Sequence, residues 1–272
     1  MAVRLIALVV TTATMVLFAV RAMPAFAQDT KSLASEVKNP FSTVVNLQFL
    51  YDANFGGAFG SRAQDVITVK PVIPFRVSAE WSLITRTVIP LIAQPGQGGG
   101  QGWTSGPGDT QLSMYLSPSG AEKLVWGAGT VFQIPSATND LLGQGKWGAG
   151  PAGGLIWYGE QWSIGALINN TWSFAGDHSR PAVNQMELEP QITYNFKSNP
   201  DRYITFAPTI TANWKASGGE RWTVPLTLGI GQLVKVGSQS INLQATAYFN
   251  VIKPADAANW TMELQIQFLF PK

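Results

Sequence analysis

The chain has 272 residues, 46% of them hydrophobic and only 12% charged, with ten Trp, 27 Gly, no Cys and a formal net charge of +2. That charged fraction is about half the ~25% of soluble domains and excludes both a disordered polyelectrolyte and a basic nucleic-acid binder. Without Cys there is no thiolate zinc site, disulfide framework or cysteine nucleophile, and the single His, His178, leaves no imidazole cluster.

Residues 1–27 read as an export signal. Arg4 supplies the positive start, Leu5 to Val20 is apolar but broken by Thr11, Thr12 and Thr14, and Ala25-Phe26-Ala27 is a small-x-small cleavage site. The mature chain is expected to run from Gln28 to Lys272 as a single domain. Losing Arg4 and Arg21 leaves 18 − 2 = 16 basic against 16 acidic residues, so the mature chain is neutral. No later stretch offers the ~20 apolar residues of a membrane helix.

After Gln28 the recurring pattern has period two, the signature of strands. Met262, Leu264, Ile266 and Phe268 alternate with Thr261, Glu263, Gln265 and Gln267, and Ile241, Leu243, Ala245, Ala247 and Phe249 alternate with Asn242, Gln244, Thr246, Tyr248 and Asn250. In chain order the pattern predicts twelve strands: Thr43 to Phe55, Asp65 to Val77, Trp81 to Ala93, Asp109 to Ser117, Lys123 to Ala137, Trp147 to Tyr158, Trp162 to Phe174, Val183 to Phe196, Arg202 to Lys215, Trp222 to Val236, Ser240 to Ile252 and Asn259 to Phe270. Connections after even strands are tight, as at Ser119-Gly120 and Gly237-Ser238. Those after odd strands are longer and rich in Gly or polar residues, as from Gln94 to Gly108 and from Thr138 to Lys146.

One apolar and one wet face, short turns at one end and long loops at the other, describe an antiparallel up-and-down transmembrane β-barrel of the bacterial outer membrane. Closure follows because an unpaired backbone polar group in hydrocarbon costs several kcal/mol, so a sheet in lipid has no open edge. A soluble β-sandwich alternates too, but its polar faces carry more Lys, Glu, Arg and Asp than this chain owns. Trp81, Trp147, Trp162, Trp222 and Trp260 fall near strand ends, where an aromatic girdle sits. Against the pattern, Pro71, Pro74, Pro90, Pro135, Pro151, Pro190, Pro208 and Pro225 lie inside proposed strands, and bulges are expected there.

Several pieces carry a family resemblance: Gly108-Asp109-Thr110-Gln111-Leu112, Pro135-Ser136-Ala137-Thr138, Gly145-Lys146-Trp147-Gly148-Ala149-Gly150-Pro151, Asn170-Thr171-Trp172-Ser173-Phe174-Ala175-Gly176, Thr211-Ala212-Asn213-Trp214-Lys215-Ala216 and Phe268-Leu269-Phe270-Pro271-Lys272. Together they resemble the outer-membrane proteins grouped as phenol meta-pathway transporters, some of which carry the label neuromedin U. The resemblance implies an outer-membrane barrel with a transport role and an unspecified substrate. The chain ends in Pro271-Lys272, where many outer-membrane barrels finish on an aromatic residue.

The wet face is where a function is expected. Alternation assigns to the lumen Asn46, Gln48, Asp52, Lys70, Arg76, Asp109, Gln111, Gln185, Glu187, Glu189, Gln191, Asn195, Asn213, Lys215, Gln244, Glu263, Gln265 and Gln267. Amides and mixed charges can solvate a water column, and Glu187 with Glu189 would bias it toward cations. The same groups can instead pair and plug a small barrel.

An outer-membrane lipid hydrolase would need Asp177-His178-Ser179 to converge, and adjacency does not supply triad geometry. Gln97-Gly98-Gly99-Gly100-Gln101-Gly102 lacks the Gly-Lys-Ser/Thr order of a phosphate loop. The expectation is a passive channel or transport component with no catalytic residue, cofactor or metal. Its expected partners are outer-membrane lipid and lipopolysaccharide, the barrel-assembly machinery and a small solute; a plugged or adhesive barrel is the alternative.

Overall fold

The computed structural model describes residues 37, 39–96, 102–121 and 123–271. The expected signal at 1–27, its cleavage point and the glycine run at 97–101 lie outside the described residues. Among the described residues fourteen strands follow in chain order: β1 (Val45–Phe55), β2 (Ala63–Arg76), β3 (Trp81–Pro95), β4 (Trp103–Pro107), β5 (Thr110–Pro118), β6 (Leu124–Ile134), β7 (Lys146–Tyr158), β8 (Trp162–Gly176), β9 (Asn184–Phe196), β10 (Asn199–Phe206), β11 (Ile210–Asn213), β12 (Trp222–Val236), β13 (Gln239–Ile252) and β14 (Trp260–Phe270).

All belong to one antiparallel sheet that closes on itself. β4 and β5 share the place beside β3, and β10 and β11 share the place between β9 and β12, so the ring has twelve places. The seam is β1 against β14, in unbroken register from Val45↔Phe270 to Phe55↔Trp260. Closure pairs both edges around the twelve-place ring, while β4, which pairs only with β3, extends the wall at the long-loop end.

The two faces separate by alternation. On β14, Leu264 is 49% exposed while its neighbour Gln265 is 8% exposed. The same holds on β13, with Leu243 and Phe249 outward and Asn242, Gln244 and Thr246 buried inside, and on β12, with Leu226, Leu228 and Ile230 outward. Such an apolar outer belt is stable only against hydrocarbon. The Trp residues stand at the two rims. Trp81 packs edge-on against Trp126 near the short turns, while Trp214 packs on Trp222 and Trp260 stacks on Phe55 at the long-loop end.

Most interior prolines sit where the ladder is interrupted; Pro74 instead pairs with Ile84 in unbroken register with β3, beyond the end of the β1–β2 pairing at Val72. Pairing of β2 with β3 skips from Val69↔Ile89 to Val72↔Arg86, passing over Pro71. β3 changes partner from β5 to β4 around Pro90, and β7 with β8 skips Gly150 and Pro151 between Ala149↔Trp172 and Ala152↔Asn169. Pro208 separates β10 from β11 and falls opposite Pro190 of β9, so the ladder loses both donors at one place, between Phe206↔Ile192 and Ile210↔Leu188. Pro225 follows a register shift on β12. Pro135 lies beyond the end of β6, not inside a strand.

Three predicted boundaries change. The long connection from Gln94 to Gly108 contains β4, which extends the wall along β3 as far as Pro95. The strand predicted to Ala137 ends at Ile134, and the one predicted as Arg202 to Lys215 is broken at 207–209.

Candidate functional site: the barrel lumen

On the β13, β14 and β1 side the inner wall is a hydrogen-bonded amide network. Asn242 Nδ2 donates to Gln267 Oε1 at 3.3 Å, as does Gln265 Nε2, and Gln48 Nε2 donates to Asn46 Oδ1 at 3.1 Å. The Tyr203 hydroxyl lies 2.9 Å from Asn242 Oδ1 and 3.0 Å from Gln244 Oε1, and Tyr248 donates to Glu263 at 3.2 Å. Asp52 and Glu263 face one another across the β1–β14 seam.

The opposite wall is apolar near the short turns. Val72, Ile84, Tyr115, Val125, Val131, Ala152, Ile156 and Leu167 point inward and are buried. They are covered by a segment entering before β1, in which Val37, Asn39, Phe41, Ser42 and Val44 are all buried. Phe41 meets Tyr115 edge-on at 5.4 Å between ring centroids. Val37 and Val44 join Tyr203, Leu233 and Leu269, and Gln267 Nε2 donates to the Val37 carbonyl at 3.4 Å. Burying one Phe side chain is worth about 1.5–3 kcal/mol.

Halfway along, the lumen is crossed by side chains. Arg86 of β3 binds Glu189 of β9 through two parallel hydrogen bonds of 2.9 and 3.0 Å. These strands are five steps apart in the ring order β3, β5, β6, β7, β8, β9, nearly a diameter. Beside that rung Gln111 Nε2 reaches Glu187 Oε2 at 3.4 Å. Bidentate Arg–carboxylate pairing fixes geometry as well as charge. A chamber of ≈ 160 Å³ touches the entering segment at Val37, Asn39 and Pro40 and the rung at Arg86 and Glu189, with Lys70, Tyr248 and Glu263 also on its wall. A second, of ≈ 170 Å³, lies among Gln111, Gln133, Gln144, Asn169, Thr171, Gln185 and Glu187. Each has room for several waters.

At the long-loop end the β6–β7 connection is tied to the wall. Asp109, between β4 and β5, accepts from the amides of Ala137 at 3.2 Å and Gln144 at 2.6 Å. Gln94 Nε2 donates to the Leu141 carbonyl, Arg180 donates to that of Gly143, and Leu142 is buried.

The predicted lumenal residues therefore divide. Lys70, Gln191, Gln244, Glu263 and Gln265 line the first chamber, Gln111, Gln185 and Glu187 the second, and Glu189 the rung between. Arg76, at the end of β2, donates to the Ser78 carbonyl in a short turn, and Asn195 donates to that of Pro200 at the same rim. Asn213 ends β11 at the opposite rim, in register with Gln185. Two assignments are corrected. Asp109 anchors a loop because β5 starts only at Thr110, and Lys215 sits in an exposed turn because β11 stops at Asn213.

Alternation overlooked Arg86, although it is the one charge in the predicted strand from Trp81 to Ala93, and an ionisable residue in a membrane segment marks function. It also overlooked the inward apolar wall, where both faces are apolar and no alternation shows. At Asp177-His178-Ser179, the Ser179 hydroxyl and amide donate to Asp177 at 2.7 and 2.8 Å, a local turn that holds this carboxyl below its usual range. The hydroxyl is turned to Asp177 rather than to His178, which is not a triad arrangement.

No family model matches the chain, and no curated protein sequence does either. Solved structures share its fold. It is similar to the COG4313 outer membrane channel from Pseudomonas putida F1, with a TM-score of 0.61 and 15% identity over 84% of this chain and 95% of that one. It is similar to the NanC porin at a TM-score of 0.52 and 11% identity, over 84% of this chain and all of the porin. Outer membrane phospholipase A from Escherichia coli is more distant, with a TM-score of 0.46 and 9% identity over 89% of this chain and 98% of the enzyme. For the channel and the porin, at such identities, the shared property is the closed antiparallel barrel itself.

Proposed function

We propose that the chain is an outer-membrane channel, a passive route or transport component for small solutes, with the short turns on the periplasmic side. The observation that carries this reading is a closed barrel, apolar outside, whose interior holds two chambers lined by amides and charges. Likeness to a channel and a porin supports it. The same reading takes residues 1–27 as the export signal, the barrel-assembly machinery as the route of insertion, lipopolysaccharide as the outer neighbour, and the phenol meta-pathway transporters as the family, with aromatic or polar solutes as cargo.

Glu187, Glu189, Asp52 and Glu263 outnumber Lys70 and Arg86 around the rung, so the channel favours cations. In planar bilayers under a salt gradient, the wild type is expected to show a cation-selective reversal potential. E187Q/E189Q leaves Asp52 and Glu263 facing Lys70 and Arg86, so the acidic excess is gone and that potential moves toward zero; an unchanged potential removes the two glutamates from the determinants of selectivity. The rung and the entering segment favour a second reading, a plugged structural or adhesive barrel, for which the refolded protein gives no current.

A further inference from the structure

Phe41 occupies a socket that the wall vacates for it. Gly127, on the inner face of β6, has no side chain, and a Cβ placed there would fall 2.6 Å from Phe41 Cε1 and 2.7 Å from Cδ1. A glycine weakens a strand interior and marks a close approach, and here the approaching group is the Phe41 ring, which meets Tyr115 of the neighbouring strand edge-on. Gly127 has no left-handed backbone, so space and not conformation calls for glycine.

The segment carrying Phe41 is folded on itself. Asn39 Oδ1 accepts from the Phe41 amide at 2.9 Å, the Asn39 carbonyl from the Ser42 amide at 3.2 Å, and Ser42 Oγ both accepts from the Val44 amide and donates to its carbonyl. It supplies none of the ladder pairs that close the ring, since the seam runs from Val45↔Phe270 onward. Its removal from the lumen therefore opens no strand edge. It also floors the chamber beneath the Arg86–Glu189 rung, standing between that chamber and the short-turn mouth.

We infer that residues 37 and 39–44 form a displaceable stopper, latched by the Phe41 ring in the Gly127–Tyr115 socket, which closes the short-turn mouth of the lumen. The inference rests on the channel reading for its consequence, the flow of ions, but not for the latch itself. Phe41→Ala empties the socket from the segment's side, and Gly127→Val fills it from the wall's side without altering the segment. Both are expected to raise the open fraction of the full-length protein in planar bilayers by about tenfold, the factor that corresponds to about 1.4 kcal/mol lost from the latched state.

A second readout needs no current. The chain has no cysteine, so Ser42→Cys introduces a unique thiol at a site that is 0% exposed. It is expected to resist a water-soluble maleimide in the otherwise wild-type protein and to react about tenfold faster when Phe41→Ala or Gly127→Val is added. Heat-modifiable electrophoretic mobility confirms that each variant is a folded barrel. Equal labelling rates in folded variants overturn the stopper, whatever the current. Faster labelling with no current in any protein upholds the stopper and overturns the channel reading instead.

Discussion

Arg86 shows how a single side chain organises the lumen. Its guanidinium is nearly buried, its side chain 10% exposed against 24% for that of Glu189, and removing one partner of such a pair leaves an uncompensated charge, at a cost of about 3–5 kcal/mol in a dry interior and less beside chambers with room for water. Arg86→Gln is therefore expected to lower stability by roughly 1–3 kcal/mol and to strengthen cation selectivity. The double change R86Q/E189Q recovers most of the loss because neither charge is left alone. Guanidinium unfolding in liposomes measures both; a double variant no more stable than Arg86→Gln shows that the rung contributes nothing specific. The charge of Arg86 was visible in the sequence and its partner was not, because no local pattern relates residues 103 positions apart.

Among elements, strands were legible and their interruptions only partly so. Alternation located β13 and β14 because polar and apolar residues strictly interleave, whereas β6, reading Val125, Gly127, Gly129 and Val131 on its inner face, shows no contrast with its outer one. The prolines announced breaks but not which neighbour changed. Pro190 and Pro208 become intelligible only as an opposed pair in which the ladder loses its donors together. The β6–β7 connection, predicted as a long polar loop, is held by Asp109 through two backbone amides. Such charge-assisted bonds are worth about 1.5–3 kcal/mol. Asp109→Ala is accordingly expected to make residues 138–145 several-fold more sensitive to limited proteolysis while the barrel keeps its heat-modifiable mobility. Protection equal to wild type would mean that Gln94 and Arg180 suffice to hold the loop.

For the whole molecule the decisive surface is the outer belt. Leu228 stands outward near the middle of β12 and is 67% exposed. An arginine at the bilayer midplane destabilises a transmembrane barrel by about 2–4 kcal/mol, so Leu228→Arg is expected to lose that much in phospholipid vesicles. A loss below about 0.5 kcal/mol, the scale of ordinary surface substitutions, would place Leu228 against water rather than acyl chains.

Composition, period-two alternation and the contrast of tight turns with long loops were sufficient, by themselves, to determine a twelve-place barrel with its polar face inward, because each of these is a local property of a strand or its connection. What filled the barrel was decided only in three dimensions. The Arg86–Glu189 rung, the Asp109 loop anchor and the Phe41 segment in the Gly127 socket join residues distant in the chain, and ring closure is what brings opposite walls within reach of one side chain.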